Sequence, residues 1–153
     1  MKHFKLLLAA ALVLALGALT SCGGDDNKAT NKLVIKGVTY TIDRAMYMLA
    51  DKPSPNGMPY HLDIDVKGGD PHGYGEVVYP GEKVELSQAN CPVYLGFNFN
   101  NGGYYGPEFK SGTLVISEAG DGDIIVNIDA IDQNDEKFVL SAVFHSEESY
   151  LEK

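Results

Sequence analysis

An all-β fold, a single antiparallel β-sandwich of about eight strands, is what this sequence predicts, and three observations predict it. From Leu33 onwards apolar residues recur with period two, the repeat of a strand that buries one face. Glycine, proline, asparagine and aspartate gather between the alternating runs, where tight turns need them. The runs return about every 10–15 residues, the spacing of antiparallel strands joined by short connections. A lipocalin-like up-and-down barrel satisfies the same pattern and stays open as the alternative.

The chain begins differently. Lys2 and Lys5, with His3, precede an uncharged apolar run from Leu6 to Leu19. A basic start, an apolar stretch of roughly 7–15 residues and small residues before a cut describe a secretory signal peptide, here residues 1–21. A membrane-spanning helix needs about 20 apolar residues, so this run is short for an anchor. Leu19-Thr20-Ser21-Cys22 resembles the bacterial lipobox, which implies cleavage before Cys22 and acylation of that cysteine. Ser21 is a mild departure, since Gly or Ala is commoner there. Each buried methylene of an acyl chain contributes about 0.8 kcal/mol, and lasting attachment takes more than one chain. Residues 22–31 then read as a lipidated N-terminus and a polar tether, with a root-mean-square reach of roughly 17 Å. Asp25-Asp26, directly after Cys22-Gly23-Gly24, resembles the acidic export signal of Bacteroidota surface lipoproteins. That resemblance implies an outer-membrane lipoprotein and leaves display on the cell exterior open.

The β-domain is expected over residues 32–148, with 149–153 a polar tail. Val38, Tyr40 and Ile42 alternate with Thr39, Thr41 and Asp43; Leu62, Ile64 and Val66 alternate with His61, Asp63 and Asp65. Val84 and Leu86 flank Glu85, and Leu95, Phe97 and Phe99 alternate with Gly96, Asn98 and Asn100. Ile124, Val126, Ile128 and Ala130 share one face, as do Phe138, Leu140, Ala142 and Phe144. Turns are expected at Pro80-Gly81, at Ala119 to Gly122 and at Gln133 to Glu136, and a longer loop at Asp51 to Pro59. Residues 113–145 thus form a three-stranded meander. Arg44 to Lys52 resists this reading. Met46, Leu49 and Ala50 stand at helical spacing after Asp43, an N-cap residue type, while Ala45, Tyr47 and Leu49 stand at strand spacing. A short helix or an edge element is expected there.

Lys110 to Ser117 (KSGTLVIS), a Gly/Asp turn, an alternating strand and the acidic turn at Asp132–Glu136 resemble the end of small β-rich Bacteroidota lipoproteins. Glu136 replaces their usual turn glycine, and their closing G-Y-G pattern is absent. The resemblance covers roughly residues 110–145 and implies fold and location, with no chemistry attached.

Charge and cysteine count narrow the function. Of 12 Lys+Arg, two fall in the signal, leaving ten against 21 Asp+Glu and a formal charge of −11. That balance opposes binding to nucleic-acid phosphates and anionic lipid heads. With Cys22 acylated, Cys91 has no disulfide partner. No Lys or Arg lies within residues 86–100 to lower its pKa, so it reads as a small, mostly buried hydrophobe.

Five stretches invite a site. His61, Asp63 and Asp65 project from one face of a strand, but same-face neighbours are ~7 Å apart and a metal would need ligands from another strand. They read as a solvated face. Asp121-Gly122-Asp123 and Asp132–Glu136 lack the EF-hand glycine, Lys137 standing at the sixth position, and read as hairpin turns. Lys67 to Gly75 (KGGDPHGYG) is glycine-rich but leads into strand residues Val77 and Tyr79, with Asp70 and Glu76 to repel an anion. Tyr104 and Tyr105, in the polar, glycine-rich stretch Asn100–Pro107, could stack on sugar rings or enter a protein groove, or fold back over the core. In a strict meander Tyr74 falls at the opposite end from them, and it joins the site only if Pro80-Gly81 is a bulge and not a reversal.

No catalytic residue, metal site or cofactor is expected, and no G-x-S-x-G, H-E-x-x-H or S-x-x-K pattern occurs. Two or three of His61, Asp63, Asp65, His72 and His145 converging in a cleft would mark an enzyme. The expected function is a membrane-anchored, non-enzymatic binding lipoprotein for glycan or protein at the cell envelope, with Tyr104 and Tyr105 as contacts. The alternative is an inhibitor or immunity-type lipoprotein acting on a cationic enzyme.

Overall fold

The computed structural model describes residues 28–49, 59–78 and 83–147. Among them every regular element is a strand: β1 (Lys32–Ile35), β2 (Val38–Leu49), β3 (Tyr60–Val66), β4 (His72–Val77), β5 (Lys83–Ser87), β6 (Val93–Asn98), β7 (Tyr104–Tyr105), β8 (Phe109–Gly120), β9 (Asp123–Asp132) and β10 (Lys137–Ser146). There are ten strands where about eight were expected, because β1 and β7 are too short to carry an alternation signal.

The strands lie in the order β5-β8-β9-β10-β1-β2-β3-β4-β6-β7, with neighbours antiparallel. One layer runs from β5 to β1, the other from β3 to β7, and β2 belongs to both. Its first four residues pair with β1, its last with β3. A short parallel pairing of His145 and Ser146 with Met46 and Tyr47 closes this side. On the other side β5 and β7 do not pair, so the sheet is an open sandwich and not a barrel.

The corner in β2 explains the segment that resisted. A bulge interrupts the register between Ile42 and Arg44. Before it Ile42 faces inward; after it Ala45 and Tyr47 do, so the buried parity changes from even to odd. Broken alternation mimics helical spacing over a few residues. Arg44–Leu49 is strand, which corrects the helical option, and residues 50–52 lie outside the described ones.

The β8–β9–β10 meander forms as expected. Asp121 and Gly122 make its first turn with φ of 53° and 82°, the pair of positive values a two-residue hairpin turn uses. The core lies between the layers. Phe138 of β10 packs on Phe97 of β6, ring centroids 6.0 Å apart, and on Phe109, 5.2 Å away. Each fully buried side chain of this size contributes about 1.5–3 kcal/mol.

The last four residues of the expected tether are bonded to the sandwich. The Thr30 N–H donates to Ser141 Oγ (2.8 Å), and Asn31 Nδ2 donates to the Ile42 carbonyl (2.9 Å). Asn127 Nδ2 reaches the Lys28 carbonyl at 3.4 Å. Lys28–Asn31 is therefore fastened to the sandwich by side chains that no periodicity reveals. The signal peptide, Cys22, Asp25-Asp26, Pro80-Gly81 and residues 149–153 lie outside the described residues.

Candidate functional site

After β4 the chain crosses to the other layer, where β5 pairs with β8, and returns as β6 alongside β4. β4 and β6 are thus antiparallel neighbours, and the loop before β4 meets the loop after β6. The Asn100 N–H donates to Asp70 Oδ1 (2.9 Å), and Asn100 Nδ2 donates to the Gly69 carbonyl (2.5 Å). The separation of Tyr74 from Tyr104 expected from a strict meander is therefore corrected. β5 is the strand that leaves the layer.

Register puts Tyr74 opposite Gly96 and Tyr104 opposite Asn98 on the outer face of this layer. A Cβ on Gly96 would stand 2.9 Å from Tyr74 Cζ and 3.1 Å from both Cε2 and Oη of Tyr104. One on Gly106 would stand 2.8 Å from Tyr104 Oη and 3.1 Å from its Cε1. The Tyr104 ring thus rests with one edge over each glycine, on bare backbone, and remains 56% exposed. Only glycine permits that approach. Tyr94 Oη lies 3.5 Å from Tyr104 Oη. That contact, partial burial and the nearness of Tyr74 push the Tyr104 phenol up to about 12, so it stays neutral at physiological pH.

Beside these rings is a cleft of about 510 Å³, lined among others by Gln88, Cys91, Tyr94, Tyr104, Pro107 and Glu108. It lies where the ends of the sheet approach without pairing, the seam at which a barrel would have closed. Its size is that of a small-ligand site. Cys91 is half-buried, packs against the core and has its Sγ 3.6 Å from the Val93 carbonyl. It therefore combines the expected apolar packing with an exposed edge in the cleft.

Tyr105 does the opposite of its neighbour. It is 7% exposed, and its hydroxyl donates to Asp132 Oδ2 at 2.6 Å. It is a fold-back tyrosine and not a surface contact, which corrects its place in the expected pair. Strand alternation forces the split: with Tyr104 outward, Tyr105 points in. Asp132 is 0% exposed, and its Oδ1 accepts the N–H groups of Asn134 (2.8 Å) and Glu136 (2.9 Å). Burial raises its pKa, but the hydroxyl of Tyr105 and these amides outweigh burial and hold it below the usual value. Burial, then the Asp132 contact, drives the Tyr105 phenol upward. Lys36 Nζ sits 4.9 Å from the Tyr105 ring centre. Asp132–Glu136 is the expected hairpin turn, with Asp132 also clamping β7.

Asp63, Asp65 and His72 do converge, on the open outer face of the sheet and around Arg44. Arg44 Nε donates to Asp65 Oδ2 (2.6 Å), and Arg44 Nη2 lies 3.2 Å from Asp63 Oδ2. His72 Nδ1 is 2.5 Å from Asp65 Oδ1, and its Nε2 is 3.4 Å from Asp63 Oδ1. Burial raises the Asp65 pKa, but His72 and Arg44 more than reverse it. Among the described residues no three His, Cys, Asp or Glu are placed to hold a metal ion. His61 sits opposite Met48 and Glu76, and His145 pairs with Asp123 at 2.7 Å, apart from the cluster. Lys67–Gly75 turns directly into β4, which gives the glycines no helix to precede.

Sequence reasoning missed Tyr94, Gly96, Gly106 and Glu108. A signal for the first was present. Leu95 and Phe97 set the buried parity of β6, and that leaves Tyr94 as a tyrosine on a polar face, two residues from a glycine.

No protein family, curated protein or solved structure matches the chain. Among the described residues no helix is long and apolar enough to cross a membrane.

Proposed function

We propose that this chain is a non-enzymatic glycan-binding module, exported and held at the outer membrane by lipid on Cys22. The observation that carries the binding half is the exposed Tyr104 ring, laid between Gly96 and Gly106 at the mouth of a small-ligand cleft. A flat apolar face with a polar tip suits a sugar ring, which offers C–H groups on one side and hydroxyls at its edge. Tyr94 and Tyr74 extend that surface, and the fastening of β7 through Tyr105 and Asp132 keeps it in place before ligand arrives. A cleft of this volume favours a small ligand over a protein face, which needs roughly 800 Å² per partner. The address half is supported by Leu19-Thr20-Ser21-Cys22 and the apolar run before it.

Affinity electrophoresis through gels of soluble polysaccharides tests the binding reading. Wild type is expected to be retarded by at least one neutral glycan and Tyr104→Ala to migrate freely, with both showing the same melting curve. Equal retardation of the two proteins would sink the assignment of Tyr104. Mass spectrometry of protein extracted from membranes tests the address, and an unmodified Cys22 thiol would overturn it.

A further inference from the structure

We propose that the cleft beside Tyr104 selects sugars bearing a free amino group over neutral and acidic sugars. This inference rests on the glycan reading and adds the charge of the ligand to it. The cleft lining contains one charged side chain, Glu108, and no lysine or arginine. Glu108 is exposed and outward between buried Pro107 and Phe109. Its backbone is fixed, since its carbonyl accepts the Gln133 N–H at 2.8 Å from the turn that Asp132 organises. Among the described residues its carboxylate takes no ion-pair or hydrogen-bond partner. Asp63 and Asp65, by contrast, are already committed to Arg44 and His72.

The same walls carry Tyr94 and Tyr104, whose ring faces attract a cation. An ammonium group on a stacked sugar would therefore meet a carboxylate and two aromatic rings. A uronate or sulfated sugar would bring its own negative charge against the carboxylate, on a chain whose formal charge beyond the signal is already −11. Hydrogen-bonding groups for the sugar hydroxyls remain at Gln88 and the two phenols. A neutral sugar keeps the stacking and these bonds but gains nothing from Glu108.

The test is titration calorimetry at about pH 6, where most of the sugar amino groups are protonated. Three oligosaccharides of equal length serve as probes: glucosamine, N-acetylglucosamine and galacturonate. Wild type is expected to bind the glucosamine oligomer about tenfold more tightly than the acetylated one, roughly 1.4 kcal/mol, and the uronate weakest. Raising salt is expected to shrink the preference. Glu108→Gln is expected to abolish it while keeping affinity for the acetylated oligomer. Glu118→Gln removes the same charge from the β8–β9 hairpin and is expected to leave the preference intact. Slower alkylation of Cys91 in the presence of glucosamine oligomer would locate it in the cleft. Equal binding of the two sugars by wild type, or a preference that survives in Glu108→Gln, would overturn this inference and leave the glycan reading standing. Failure of every probe and of the gel assay would overturn both.

Discussion

The two faces of the β4–β6 ladder place glycine against an aromatic ring with opposite results. On the inner face, a Cβ on Gly73 would run into the Phe97 ring and one on Gly75 into Leu95. Glycine there lets large side chains fill the core, and Phe97 is 0% exposed. On the outer face, Gly96 lets Tyr74 and Tyr104 settle on the backbone, but water replaces the second layer and Tyr104 stays exposed. The difference lies in what covers the ring. Inside, the ring is covered by Phe138 of the facing layer; outside, one face stays open to water. Tyr104 and Tyr105 repeat the contrast between adjacent residues.

If the inner face is structural and the outer face a platform, substitutions on the two should separate stability from binding. Phe97→Ala is expected to cost the most, about 3–5 kcal/mol in urea denaturation, through lost burial and a cavity. A cost below ~1 kcal/mol would mean the layers do not meet at Phe97. Asp132→Asn should follow, at roughly 1.5–3 kcal/mol at neutral pH, because it weakens charge-assisted bonds in a buried turn. The Asp132 pKa is depressed by folding, so its contribution is complete above the unfolded value of about 3.9 and is lost as pH falls through the lower folded value. The gap between wild type and Asp132→Asn is thus expected to narrow below about pH 4, and a gap constant down to acid pH would contradict this account. Gly73→Ala comes next at about 1–3 kcal/mol, from overpacking against Phe97. The smallest stability effect belongs to Gly96→Ala, expected under about 1 kcal/mol because the displaced tyrosines can swing into solvent. Its binding effect should be large: loss of glycan retardation with Tyr104 still present. Stability losses of the same size for Gly73→Ala and Gly96→Ala would erase the comparison.

Legibility followed how local each feature is. Strands β3, β9 and β10 were visible because one buried face writes period two directly into the chain. The hairpin turn at Asp121-Gly122 was visible because positive φ restricts residue type. β2 was half-legible, since the bulge near Asp43 shifts parity in a single residue that resembles any other surface aspartate. The tyrosine site was legible as residue types but not as an arrangement. Tyr104 stood out in its glycine-rich stretch, while Tyr74 and Gly96 join it only through β4–β6 pairing across a strand that departs to the other layer.

By itself the sequence determined the fold class, the meander and the expectation of an exported, lipid-held chain, each of which depends on residues near one another. Tertiary structure decided which strands are neighbours, which of two adjacent tyrosines faces water, and that Asp132 is buried. Those outcomes depend on contacts such as Tyr105 with Asp132, 27 residues apart. Alternation says that β7 has an inside and an outside. The facing layer decides which is which, because only one side offers an apolar core and a buried carboxylate to receive a hydroxyl.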